Sequence, residues 1–292
     1  MPISSPPGTA GVSAAAGGNR RRVEVFVGAS LAHWMCIRGI DRKDQSVPER
    51  HWLVNASVMM PPRLLPAWLA GDVTYERVSV DLAGLARHKG VQLICSEWGA
   101  VDLGRRQLAW SPQTASLTFD SICIDPEPES DMSKLVQLSD ALVCLHPQSL
   151  FVQRWRALES TTPPEKVVVA GADHEAVDVA LGLARGARRT GMQRSITLVT
   201  MATELLPSCS AQERRMARRE LARHLVQTHE SDAVGVPGGL LLPNGRLLQA
   251  DRVLVATPPR PSSSWVMVHG NTSETNGHSL GTSDQQANVP GA

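Results

Sequence analysis

Residues 166–184 read KVVVAGADHEAVDVALGLA, and the fold is decided in this stretch. Lys166–Ala170 is a short, β-branched, almost wholly apolar strand that runs into Gly171, and a helix follows over Glu175–Ala187. An apolar strand that meets its helix through a glycine is how a parallel βαβ unit begins. Such a strand is covered on both faces, so it shows no polar alternation. Ser195–Thr200 reads as the next strand. The arrangement occurs once more, in VEVFVGASLAHW at 23–34: strand Val23–Val27, then Gly28, then a helix from Leu31 to about Ile40, with the following strand at His51–Asn55. Two such units predict an α/β protein of two Rossmann-like domains with parallel sheets.

Working outward, Asp81–Lys89 has helical spacing and Val91–Cys95 reads as a strand. Gln107–Trp110 with Leu117–Thr118 reads as a hairpin, and Phe119–Ile124 as a buried strand. The acidic, proline-punctuated PEPES at 126–130 breaks the chain. Beyond it come a short helix at Phe151–Leu158 and a basic helix from Ala211 to about Leu225. A hairpin follows around Asn244-Gly245, and Arg252–Ala256 is the closing strand. The domains are accordingly expected at 20–150 and 151–265, with polar, aperiodic ends at 1–19 and 266–292 expected to be disordered.

Charge and composition exclude several classes. Lys and Arg total 29 against 28 Asp and Glu, a net charge of +1 that offers no footprint for nucleic acid or an acidic membrane. The apolar fraction of 42% argues against disorder of the whole chain. No apolar run approaches the ~18–20 residues of a bilayer span, so no transmembrane segment is expected. Residues 1–19 lack the apolar block of a signal peptide. Cys36, Cys95, Cys123, Cys144 and Cys209 form no Cys-x-x-Cys and no finger-like set with His. They read as reduced thiols of a cytoplasmic protein without a metal site.

The chemistry lies where each first strand meets its helix. A dinucleotide site has Gly-x-Gly-x-x-Gly there: one glycine for the tight turn, one for close approach of the pyrophosphate, one for helix–sheet packing. The first turn reads Gly28-Ala29-Ser30-Leu31-Ala32-His33 and the second Gly171-Ala172-Asp173-His174-Glu175-Ala176. Each keeps the first glycine, and Ala176 is an accepted substitute for the third. Ser30 crowds a phosphate but can donate to it. His33 reads as a packing or capping residue rather than a catalyst, and Cys36 as a buried structural thiol. Arg214, Arg215, Arg218, Arg219 and Arg223, interleaved with Glu213 and Glu220, read as a solvated helix face.

Taken in order, these segments resemble the pyridine nucleotide-disulfide oxidoreductases, flavoproteins with two dinucleotide-binding domains. Within them the likeness is to the type II NADH dehydrogenase-like branch, including flavoproteins fused to selenide, water dikinase. VEVFVGASLAHW at 23–34 is similar to that branch's first flavin strand and turn, where a His commonly stands at the position of His33. LLPAWLAG at 64–71, VSVDLAGLARHKG at 78–90, SLFVQRWRAL at 149–158, the stretch at 166–184, SITLVTMATELLP at 195–207 and GLLLPNGRLLQADRVLVATPPRP at 239–261 follow in the family's order. The resemblance covers roughly Val23 to Trp265. It implies FAD at the first turn, with Gly28, Ala29, Ser30, His33 and Asn55 as cofactor-binding residues. It implies NAD(P)H at the second, with Gly171, Ala172 and Ala176. The implied activity is hydride transfer from NAD(P)H to the flavin and on to an acceptor; no residue is singled out as catalytic.

The departures matter as much. Family members continue into a second flavin motif containing Gly-Asp, and this sequence passes His269 without one, so its first domain is expected to lack its C-terminal part. The strands that usually end Ala-Thr-Gly end here in Asp125-Pro126 and Ala256-Thr257-Pro258. Neither second strand closes on the acidic residue that would hold a ribose hydroxyl: Asn55 and Thr200 stand there. Asp173 occupies the close-approach position. A carboxylate about 4 Å from a phosphate oxygen opposes binding by up to ~4 kcal/mol at an effective dielectric of ~20. The bland alternative, favoured by the residue type, is that Asp173 caps the helix. The expectation is therefore an impaired oxidoreductase. Its alternative is a non-catalytic descendant of the fold acting as a binding or partner module. The expected partners are the dinucleotides, and a second copy or partner chain that completes the flavin domain.

Overall fold

The computed structural model describes residues 21–40, 48–54, 56–96, 99–110, 115–125, 127–260 and, by their backbone, 265–268. Both units obey one plan. In the first, a four-stranded sheet has the order Gln92–Cys95, Glu49–Val54, Val23–Val27, Ser121–Ile124, with every neighbouring pair parallel. Side chains alternate across it, as the two-residue period of a strand requires. Val23, Val25, Val27 and Leu53 face Val101, Leu108 and Phe119 on one side. Trp52 and Val54 meet Ile37, Leu82 and Ala86 of the helices on the other. The side away from the helices is closed by an antiparallel layer, Gly99–Asp102, Gln107–Trp110 and Ala115–Thr118.

In the second unit a five-stranded parallel sheet runs Leu142–Cys144, Arg252–Val255, Lys166–Ala170, Ser195–Val199, Gln227–His229. Val167 and Val169 pack under the helices, while Val168 and Ala170 pack with Leu240 and Leu248 of a second antiparallel layer, Val234–Val236, Gly239–Leu241 and Leu247–Gln249. The expected two parallel-sheet units are thus present. Two strands lie across the boundaries expected at 150 and 265. Leu142–Cys144 is the edge of the second sheet, and Trp265–Val268 returns to pair in parallel with Gly99–Asp102 of the first unit. Of the stretches expected to be disordered, 1–19 and 266–292, residues 266–268 instead belong to the strand Trp265–Val268, and 1–19 and 269–292 lie outside the described residues, as do Asn55 and Pro126.

Helix ends follow local chemistry. The long helix spans His174–Thr190 and stops at Gly191, whose φ of 69° is the left-handed conformation glycine adopts without a Cβ penalty. The helix at Gln148–Thr161 is longer than its expected Phe151–Leu158. The basic helix Ala211–Arg223 begins in a capping box, with the Ser210 side chain accepting from the Glu213 N–H and Glu213 reaching back to Ser210.

The units are joined by packing as well as by chain. The short helix Leu65–Leu69 lies against His174–Thr190 at Gly182 and Gly186, where a Cβ would stand 2.7 Å from the Pro66 carbonyl oxygen and 2.2 Å from that of Leu69. Asp72 then accepts from Arg185 at 2.8 Å and Arg189 at 2.5 Å. Met60, Leu65, Leu69 and Val78 consequently belong to the same apolar cluster as Phe151, Trp155 and Leu183.

Candidate functional site

At the first turn Gly28 takes a φ of 105°, and its N–H donates to the Leu53 carbonyl at 2.8 Å. Its own carbonyl turns inward, where it accepts from Trp52 Nε1 at 2.8 Å and from His33 Nδ1 at 3.0 Å. Because a carbonyl can only accept, the His33 proton is on Nδ1, and Nε2 accepts the S–H of Cys123 at 3.2 Å. Burial pushes the Cys123 thiol up, and Cys36 and Asp125 add to that. His33 is 2% exposed, with both ring nitrogens engaged inside the protein. Ser30 is the N-cap, its hydroxyl accepting from the His33 N–H at 3.2 Å. The Leu31 and Ala32 N–H groups are left without intrahelical acceptors at the helix mouth. Ala29 is buried beside them.

Cys36 departs from expectation: it is exposed, not buried. Ile37 and His33 take the inward face of this helix, which leaves Leu31, Met35 and Cys36 outside.

The second turn is closed differently. Gly171 donates to the Val199 carbonyl at 2.8 Å and sits so tightly that a Cβ would lie 2.1 Å from the Ala256 carbonyl oxygen. Ala176 is fully buried and lets the helix settle on the strand. The Ala172 carbonyl accepts the Leu206 N–H at 2.8 Å, so the loop after Ser195–Val199 folds over the turn. Leu205 anchors that loop through its N–H to Glu230 at 3.0 Å. Asp173 occupies the N-cap position, but its side chain makes no capping bond. The position was legible; the expected bond is not made. Glu175 turns to His146, 2.8 Å away. Burial pushes Asp178 up, and Glu175 adds to this while His174 opposes it.

Among the described residues, no group of three or more His, Cys, Asp or Glu is placed to hold a metal ion, and no helix is long and apolar enough to cross a membrane. The arginines of the basic helix behave as a solvated face, Arg218 pairing with Glu230 at 2.5 Å and Arg214 with Glu204 at 3.6 Å. Sequence reasoning missed two side-chain pairs, His146–Glu175 and His174–Cys209. Their members lie 29 and 35 residues apart, beyond any local motif.

Two parallel sheets, each with a glycine turn at the end of its first central strand, one backed by a four-stranded and the other by a three-stranded mostly antiparallel layer, define a two-unit Rossmann-like fold. No protein-family model and no curated protein matches the chain. Solved structures do. Reduced CoADR-RHD of Bacillus anthracis superposes with a TM-score of 0.69 at 17% identity, over 84% of this chain and 45% of that one. The NAD-dependent persulfide reductase of A. fulgidus gives 0.66 at 18% identity, over 82% of this chain and 47% of that one. NDH2 of Plasmodium falciparum in complex with NADH gives 0.66 at 13%, over 83% and 56%. The chain thus spans about half the length of the structures it matches. These are pyridine nucleotide-disulfide oxidoreductases, and this chain shares their fold of two Rossmann-like units.

Proposed function

We propose that this chain is a dinucleotide-binding oxidoreductase module in which the first turn serves FAD and the second serves NAD(P)H with impaired affinity. The activity is hydride transfer from NAD(P)H to the flavin and on to an acceptor. When bound, the flavin supplies the hydride-accepting chemistry. The chain's part at the first turn is to hold the pyrophosphate at the helix mouth, with Gly28 giving access and the Ser30 hydroxyl and the Leu31 and Ala32 N–H groups facing it. At the second turn Gly171, Ala172 and Ala176 keep the backbone of such a site.

The observation that carries the impairment is Asp173. Its carboxylate stands at the close-approach position and is not drawn onto the helix by a capping bond. A charged residue thus stands at the position a pyrophosphate approaches, whereas Ser30 brings no charge.

A second reading, a non-catalytic partner module, is favoured by the outer face of the first unit. Ser121–Ile124 ends the parallel sheet among the described residues, and the neighbouring helix leaves Leu31 54% and Met35 61% exposed. Exposed apolar groups beside a sheet edge suit a partner chain or second copy that completes the domain.

The deciding experiment is an absorbance spectrum of the purified protein, recorded after FAD is added and the sample desalted. Retained flavin bands that bleach slowly on NADH or NADPH, and faster in Asp173→Asn, support the oxidoreductase module. A protein that retains no flavin rejects it and leaves the partner reading.

A further inference from the structure

The loop that folds over the second turn brings together two groups that neither reading uses. His174 is the first residue of the long helix, and Cys209 immediately precedes the Ser210 cap of the next; Cys209 Sγ lies 3.1 Å from His174 Nε2. His174 is exposed and Cys209 half-buried against the apolar cluster of the second unit, so the pair lies at the protein surface. The position of the sulfur is fixed by its backbone. The Cys209 N–H donates to the Leu206 carbonyl at 3.0 Å, and its carbonyl accepts from Arg214 Nη1 at 2.8 Å. Leu206 is itself tied to Ala172.

Asp178, one turn along the same helix, and Glu213, on the next helix, both interact with His174. Arg214 pairs with Glu204, and Glu175 is turned to His146. The other thiols are set differently. Burial pushes Cys95, Cys123 and Cys144 up, and Cys123 is engaged with His33. Cys36 lies exposed on the first helix.

We propose that Cys209 and His174 form a peroxide-reactive thiol–imidazole pair, a site of oxidative modification beside the second glycine turn. His174 Nε2 takes the thiol proton, and the thiolate attacks one oxygen of hydrogen peroxide. The S–O bond forms as the O–O bond breaks. Sulfur gives up two electrons to the peroxide, and the departing hydroxide takes the proton from the imidazolium and leaves as water. The product is a sulfenic acid at Cys209. Nothing in this step depends on a dinucleotide being bound.

The test treats the full chain with hydrogen peroxide, traps sulfenic acid with dimedone and follows each cysteine peptide by mass spectrometry over time. Cys209 is expected to label first, and His174→Gln to slow it by about tenfold or more while Cys36 keeps its rate. Labelling of Cys209 no faster than Cys36 in the unsubstituted protein overturns the proposal, whatever the variant does. So does an unchanged Cys209 rate in His174→Gln.

Discussion

At Gly28 the turn is braced from inside by side chains, Trp52 and His33 both donating to its carbonyl, whereas at Gly171 the bracing is backbone against backbone, with Ala256 beneath and Leu206 above. The cause is the third position of each motif. Ala176 stands within 3.0 Å of where a Gly171 Cβ would be, whereas the buried ring of His33 reaches from Gly28 to Cys123. The N-cap residues differ in the same sense. Ser30 commits its hydroxyl to the helix, and Asp173 does not commit its carboxylate. The lesson is that one backbone turn can be kept by two unrelated packing solutions, and that the cap residue decides what charge the turn presents.

The sharpest way to break this comparison is to add a methyl to each glycine. Gly171→Ala drives a Cβ onto the Ala256 carbonyl and is expected to cost about 3 kcal/mol in urea unfolding. Gly28→Ala forces an L residue to a φ of 105° and should cost about 2 kcal/mol. Equal losses would show that the two seats are equally tight. Next comes the third position: His33→Ala removes a buried ring and two hydrogen bonds and should cost about 2 kcal/mol, against about 1 kcal/mol for Ala176→Gly.

The cap residues are tested by exchanging their charges. Asp173→Asn is expected to tighten NADH binding about tenfold, or ~1.4 kcal/mol, as read by calorimetry, with unfolding stability unchanged. Ser30→Asp should abolish flavin retention without unfolding the protein. If both substitutions leave binding untouched, charge at the cap is irrelevant.

The smallest effect concerns the loop that folds over the second turn. Hydrogen bonds from Arg218 chiefly, and the Leu205 N–H, hold the Glu230 carboxyl below the usual carboxylate range against the opposing effect of burial. A carboxyl lowered in the folded state contributes stability above its unfolded pKa and loses it as pH falls through the folded value. Glu230→Gln should therefore destabilise by about 1 kcal/mol at neutral pH, the difference from wild type shrinking between about pH 5 and pH 3 in urea titrations.

Both glycine turns were legible because a strand running into a glycine and then a helix is a local pattern. The edge strand Leu142–Cys144 was not: three residues give no period, and its partner Arg252–Val255 is more than a hundred positions away. Gly99–Asp102, with a glycine and an aspartate among its four residues, has weak strand chemistry and owes its conformation to pairing with Gln107–Trp110. Cys36 was misread for a different reason. LAHWMCI at 31–37 is apolar nearly all round, so periodicity cannot say which face turns inward. At the candidate site the residue types were legible, but the missing Asp173 cap and the His174–Cys209 contact depend on how a distant loop closes.

The seam at Gly182 and Gly186 bears on how the chain comes to be folded. The segment around Leu65–Leu69 is synthesised more than a hundred residues before the helix that receives it, yet its apolar side chains share a core with Phe151, Trp155 and Leu183. Trp265–Val268 closes the first unit only after the second has been made. The two cooperative folding units are therefore interleaved in sequence. A ribosome releasing this polypeptide leaves its early half waiting for its late half, and fragments cut at the linker would associate with each other rather than fold apart.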